Sequence, residues 1–322
     1  MSRSAVNKAG SEAVTSDAAT PAPWRHRLRR ALLVALALVV VVGAIAAIAD
    51  TVAASRGEHR LSTSLASAAG IAYPPEVTLG GLPFLTHASS GEFTGATITA
   101  RGVPIAQGCS YPAAGPCFAE LGATLGTLRV PNGFNIGSTD TMHAASVIAY
   151  SRLDSVNLGR MLGVLDLTVN TPAGPDRVGG GGPQFGNLER TSGIVLTGSV
   201  ALPPDSAPPT GATPSPQRAP SASEYPGPRT RVSVTVEVSV RDGRLHVQAT
   251  GFYTGPEKHV EAPELVGADK SSLRAAVLAR FTATLPLLPM PWDLPATGAH
   301  SSGSDILLTA GSGPRDLLPG LF

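Results

Sequence analysis

The run "ALLVALALVVVVGAIAAIA", residues 31–49, contains no charged side chain. As a helix it is about 28 Å long, close to the hydrocarbon thickness of a bilayer, where only a helix or a closed barrel satisfies its own backbone. Its N-terminal flank "WRHRLRR" holds Arg25, Arg27, Arg29 and Arg30, whereas the other flank is mixed in sign. The positive-inside rule then keeps the N-terminus in the cytoplasm and exports everything after Asp50. A cleaved signal peptide is the competing reading, because "AIAD" offers an Ala-x-Ala site ending at Ala49. The run exceeds the usual apolar core of a signal, which favours an uncleaved, single-pass anchor in the cytoplasmic membrane.

Export agrees with the cysteines. Cys109 and Cys117 lie in "GCSYPAAGPCF", a short loop rich in proline and glycine. In an oxidising compartment such a pair forms a disulfide, and neither the spacing nor the neighbours suit a metal site. The net charge of +1 argues against nucleic acid, whose binders carry a basic patch or stripe. Residues 1–24 read as a disordered cytoplasmic tail, 25–50 as the signal-anchor segment and 51–322 as one exported domain in the periplasm or cell-wall space. That domain is interrupted by the proline-rich stretch 201–229 and by a glycine-rich loop at 174–186, neither able to pack a core.

The firmest local signal within the domain is "RVSVTVEVSVRDGRLHVQATGF". A strand alternates faces every residue, so Val232, Val234, Val236, Val238 and Val240 form one apolar stripe about 30 Å long. Asp242-Gly243 suits a two-residue hairpin turn, and Leu245, Val247 and Ala249 resume the alternation. Before it, Ser55 and Glu58 have capping-box spacing ahead of Leu61, Leu65 and Ala69, predicting a helix that ends near Gly70. The stretch 76–105 reads as strands broken by glycine turns, with further strands at 121–130, 139–149, 164–170 and 188–200. "YSRLDSVNLGRMLG" predicts a short helix, with Ser151 and Asp154 in a capping arrangement and Gly163 just past its last apolar turn. "DKSSLRAAVLARF" predicts another, followed by an alternating strand through Phe281, Ala283, Leu285 and Leu287, and "SGSDILLTAGSG" a final one. The order of elements predicts an α+β domain with a largely antiparallel sheet.

The chemistry-bearing motifs that can be checked are absent: no His-Glu-x-x-His, no Gly-x-Ser-x-Gly, no phosphate-binding Gly-x-x-x-x-Gly-Lys. His87 and His143 stand beside hydroxyls without a further partner, and Asp154 and Asp166 read as a cap and a strand-end residue. No catalytic residue, metal site or cofactor is assigned. With few aromatic platforms for sugars or bases, aliphatic strand faces suit acyl chains, which need only a dry groove.

Taken in order, "TLGGLPFLTHASSGEFTGATITARGV", "YSRLDSVNLGRML", "VSVTVEVSVRDGRLHVQA" and "LRAAVLARFTATLPLLPMPWDLP" resemble the actinobacterial LmeA-like family, the lipomannan elongation factor group, over roughly residues 30–310. The resemblance implies a non-enzymatic periplasmic phospholipid-binding domain similar to the BPI-like, or TULIP, carriers, in which a long curved, mostly antiparallel sheet wraps around a helix. It further implies anionic inositol phospholipid and envelope-assembly proteins as partners, in the making of lipomannan-type glycolipids. The insertions and the cysteine loop are not features of that family.

On this reading Val232, Val234, Val236, Val238, Leu245, Val247, Phe281 and Leu285 contact the lipid tail, Phe84 stands at the groove mouth, and Arg101 and Arg244 meet the headgroup phosphate. A plain protein core is the alternative for the valines, and solvated surface for the arginines. The alternative function is a scaffold of an envelope complex that docks through the proline-rich segment.

Overall fold

The computed structural model describes residues 23–109, 115–131, 135–170, 194–202, 227–255 and 259–322. The glycine-rich loop, most of the proline-rich stretch and the N-terminal tail lie outside these. The chain forms two compact units, Met1–Thr51 and Val52–Phe322.

Helix α1 runs unbroken from Pro23 to Leu65. The separate helix start expected at Ser55 is therefore absent, since residues 44–56 contain no glycine or proline to stop the first helix. Glu58 does not cap: its carboxylate accepts from the Leu79 backbone N–H at 3.0 Å. Residues 28–49 are exposed on every side. Among the described residues α1 is the one helix long and apolar enough to cross a membrane, as an anchor or a signal segment would.

In the second unit the end of α1 buries Leu61 and Leu65. Ser62 donates to Pro75 O at 2.6 Å and Ser64 to Ile136 O at 2.8 Å. Strand β1 (Glu76–Gly80) follows, then α2 (Phe84–Ser90), where only strands were expected. Gly91 ends α2 at φ 72°, and a Cβ there would lie 2.6 Å from Val130 O, so only glycine fits. Next come β2 (Glu92–Phe93), β3 (Gly95–Pro104), β4 (Phe118–Leu125), β5 (Leu128–Arg129), β6 (Met142–Ala144), β7 (Val147–Leu153), α3 (Ser155–Leu162), β8 (Leu165–Asn170) and β9 (Ile194–Ala201). The chain finishes with β10 (Arg229–Arg241), β11 (Arg244–Phe252), α4 (Ser271–Ala279), β12 (Ala283–Thr284), β13 (Gly298–Ser302), β14 (Asp305–Ser312) and β15 (Arg315–Leu317).

Among the described residues every strand pairing is antiparallel, in sheets ordered β1-β3-β4-β7-β14-β13, β12-β11-β10-β9-β8 and β15-β6-β5-β2. The α+β architecture thus stands as the sequence predicts, with its strands shared among three sheets. Asp154 caps α3 by accepting from Asn157 N at 2.7 Å, and Gly163 closes it at φ 69°. Ser151 instead lies in β7, buried and with no hydrogen-bond partner for its Oγ among the described residues. Asp166, at φ 47°, sits where the β8–β9 register slips. Cys109 and Cys117 are joined by a disulfide, with the Arg160 guanidinium donating to Pro116 O at 2.7 Å beside it.

The hairpin turn has Asp242 at φ 51° and Gly243 at φ 72°, as a two-residue turn between right-twisted strands requires. Across it Val236, Val238 and Val240 face Ala249, Val247 and Leu245. On the other side Val232, Val234 and Val236 face Gly198, Leu196 and Ile194. All eight residues of β9 are buried, so both faces of this sheet are covered at its centre. The alternation expected after α4 fails at Leu287, which is exposed while Leu288 is buried. Pro286 and Pro289 fix φ and remove donors there, so the strand ends after two residues.

A candidate lipid cleft at the edge of the core

The expected tail contacts Val232, Val234, Val236, Val238, Leu245, Val247, Phe281 and Leu285 belong to one apolar cluster and are 0–7% exposed. They come together as the valine pattern implies, and the structure surrounds them with protein. Phe84 is buried too, its ring 5.5 Å from that of Phe93, under the first turn of α2. Arg101 is exposed but already lies 3.5 Å from the Glu76 carboxylate and 3.3 Å from that of Glu120. Glu120 also accepts from Tyr150 OH at 3.2 Å and lies 3.4 Å from Arg152. Arg244 is exposed at the hairpin tip, directly across from Arg241.

The core reaches the surface at a cleft of about 300 Å³ beyond the end of β11. Phe252 sits on its wall, placed by pairing with Val234, one of the stripe valines. The chain then turns at Tyr253, whose N–H donates to Ser233 O at 2.8 Å. The returning segment is pinned by Val260 N donating to Ser233 Oγ at 3.0 Å, and by a hydrogen bond between Thr230 and the Glu264 carboxylate. That return lays Val260, Ala262, Leu265 and Val266 along the opposite wall. Leu265 is part of the core, whereas Val266 is 73% exposed at the rim. Arg274 of α4 holds its guanidinium over the Phe252 ring, 5.2 Å from the centroid, a cation–π contact at the opening.

A cleft of this size is at the lower end for ligand sites, enough for part of an acyl chain. An acyl chain asks for no hydrogen bonds, and the lining N–H groups of Tyr253, Val260, Leu265 and Val266 are already paired, through Ser233 and the one-turn helix Pro263–Leu265. A second depression, about 590 Å³, is rimmed by Arg129, His143 and serines. Its charges are engaged, Arg129 with Glu92 at 2.6 Å and His143 with Asp316 at 2.8 Å, and it is less suited to an apolar ligand.

Among the described residues no group of three histidine, cysteine or carboxylate side chains stands together as a metal site. Among the described residues burial shifts a phenol and a carboxyl from their ordinary values. Burial raises the Tyr150 phenol, and burial raises the Asp305 carboxyl against the opposing pull of Arg152.

The cleft residues escaped the sequence reading because 253–266 has no period and its members come from a strand end, a return loop and α4. Phe252, closing the quoted hairpin, is the one signal that pointed there.

An apolar core opening at one rim, in a chain that also carries a helix of bilayer-spanning length, has the make-up of a lipid-binding protein. A family model for LmeA-like phospholipid-binding matches residues 48–311, and the chain belongs to that family. Comparison with curated proteins and with solved structures found no match to either.

Proposed function

We propose that this protein is held in the cytoplasmic membrane by residues 25–50 and exposes residues 51–322 in the periplasm or cell-wall space. There it shelters the acyl chain of a phospholipid without covalent chemistry and so supports assembly of lipomannan-type glycolipids. The carrying observation is the cleft at Phe252 and Val266, whose floor is the same apolar cluster as the valine stripe. The chain end enters at the cleft, and further methylenes reach Val232, Val234 and the neighbouring stripe as the 259–266 segment moves aside. Each methylene so buried contributes about 0.8 kcal/mol. An anionic headgroup, such as an inositol phospholipid's, would lie by Arg274. Arg101 is already engaged by carboxylates, and Arg244 remains a candidate at the hairpin tip. A sheet that wraps a helix as in BPI-like carriers, and envelope-assembly proteins as partners, complete the reading.

The test is photo-crosslinking of the full chain in vesicles doped with a phospholipid whose acyl chain bears a diazirine, followed by peptide mapping. Labels on the peptides containing Phe252 and 259–266 are expected. Labels confined to residues 28–50 would overturn the proposal.

A further inference from the structure

We infer that the Gly81-Leu82-Pro83 turn, with the first turn of α2, rests on a phospholipid surface at the end of the domain where the chain enters it. The inference shares with the proposed function the premise that residues 31–49 lie in a bilayer, and it is independent of the cleft.

Leu82 is 83% exposed and Leu85, one turn into α2, is 50% exposed. Scattered exposed leucines need no explanation, but here their placement and company are specific. Strand β1 is hydrogen-bonded alongside the end of α1: Ser62 reaches Pro75, and the Leu79 N–H reaches Glu58. Moving forward along β1 therefore moves backward along α1, toward Val52, where the domain begins. Val52 precedes Glu58 by about 9 Å of helix. Leu82 follows Leu79 by three residues, at most about 11 Å of chain.

Ile148 lies at the same end. It shares a cross-strand row with Thr124, Thr97 and Thr78, and is 59% exposed. Arg56 and Arg60, four residues apart on α1, are both exposed and supply positive charge for anionic headgroups. On that premise the bilayer segment ends at Ala49, three residues before Val52, so this end of the domain has the shortest tether to lipid.

The turn is rigid enough to present its leucines. The Phe84 ring packs tilted against that of Phe93, and the His87 ring sits so close to Gly81 that a Cβ there would be 2.8 Å from it. His87 is itself tied through Nδ1 to Glu92 O at 2.7 Å. Exposed apolar side chains on a braced turn, at the end of the domain nearest its bilayer segment, fit a membrane surface better than a protein groove, and Arg56 and Arg60, on the side of α1 turned away from Glu58 and β1, face solvent rather than a protein partner.

The two native cysteines are joined to each other, so a single introduced cysteine is uniquely labelled. Full-length Leu82→Cys, Leu85→Cys and a control, Leu321→Cys, would carry an environment-sensitive NBD dye in vesicles of phosphatidylcholine and phosphatidylglycerol. Leu321 is 63% exposed and adjoins Gly320, which packs near Ser67 past the far end of α1. Spin-labelled lipid is expected to quench the dye at 82 and 85 at least threefold more than at 321. The difference should shrink in Arg56→Gln/Arg60→Gln chains. Dye at 82 and 85 as water-exposed as at 321, in chain that floats with the vesicles, overturns the inference. Chain that does not float overturns the membrane premise as well. Quenching at 82 without acyl crosslinks at the cleft supports this inference and overturns only the cleft.

Discussion

Ser233 and Thr197 face each other across β10 and β9 with their hydroxyl oxygens 2.7 Å apart, both buried. They lie on the face of the sheet opposite the valines, and Ser233 also accepts from Val260 at the start of the cleft wall. One serine thus couples the sheet to the segment that closes over Phe252. Ser233→Ala leaves Thr197 and the Val260 N–H short of a partner, at a cost of about 1–3 kcal/mol. Denaturant unfolding should show that loss, and hydrogen exchange should quicken in 259–266. Unchanged exchange there would uncouple Ser233 from the wall.

Core and rim should separate by substitution. Phe281 is fully enclosed, so Phe281→Ala should lose about 3–5 kcal/mol of stability. Val266 is exposed, so Val266→Asp should leave the melting temperature within about 2 °C, a surface-sized effect, while reducing acyl crosslinking several-fold. A Val266→Asp chain that melts like the parent and crosslinks equally well would remove this rim from the lipid path.

Asp305 makes stability depend on pH. Burial raises its folded-state carboxyl above the ordinary 3.8, so the fold favours the neutral acid. The associated stability is present below 3.8 and is lost as pH rises through the folded value. Asp305→Asn keeps that position neutral throughout. Its melting temperature relative to the parent should be highest near neutrality and converge as pH falls below the carboxylate range. A gap that widens on acidification would show that the Arg152 contact outweighs burial.

The proline-rich stretch should be dispensable for folding. Its two ends meet, with Leu202 N donating to Pro228 O at 2.8 Å and Ala201 paired to Arg229. It is therefore the loop of a hairpin, and replacing 203–226 by a four-residue turn changes closure entropy by only about 1–2 kcal/mol. Equal or higher stability with acyl crosslinking retained is expected. Loss of crosslinking would give the segment a direct part in lipid capture.

Where a signal in the sequence is local, the structure follows it. Asp242-Gly243 makes the turn, Asp154 and Gly163 bound α3, and four of the five alternating valines enter one core, with Val240 half-buried at its edge. Where a residue's partner is distant, local patterns mislead. Ser55 and Glu58 have the spacing of a cap, yet Glu58 serves Leu79 and the helix never breaks. Phe84 follows a glycine pair and a proline, a pattern of broken strands, but begins a seven-residue helix because Gly91 and Phe93 lie in wait for it. Pro286 and Pro289 shift the burial of Leu287 to Leu288. The valines were legible as an apolar face, whereas the cleft that connects that face to solvent depends on return segments with no repeat.

Strand β9 has no solvent-facing residue and is paired on both sides. Its amides should be among the slowest in the chain to exchange, opening only when the whole domain does. The cleft, by contrast, is walled by a short return segment at the sheet's periphery. On the proposed reading, loading and release of a lipid then proceed on the fast clock of that wall's local fluctuations, and the domain's resistance to global unfolding sets no limit on turnover.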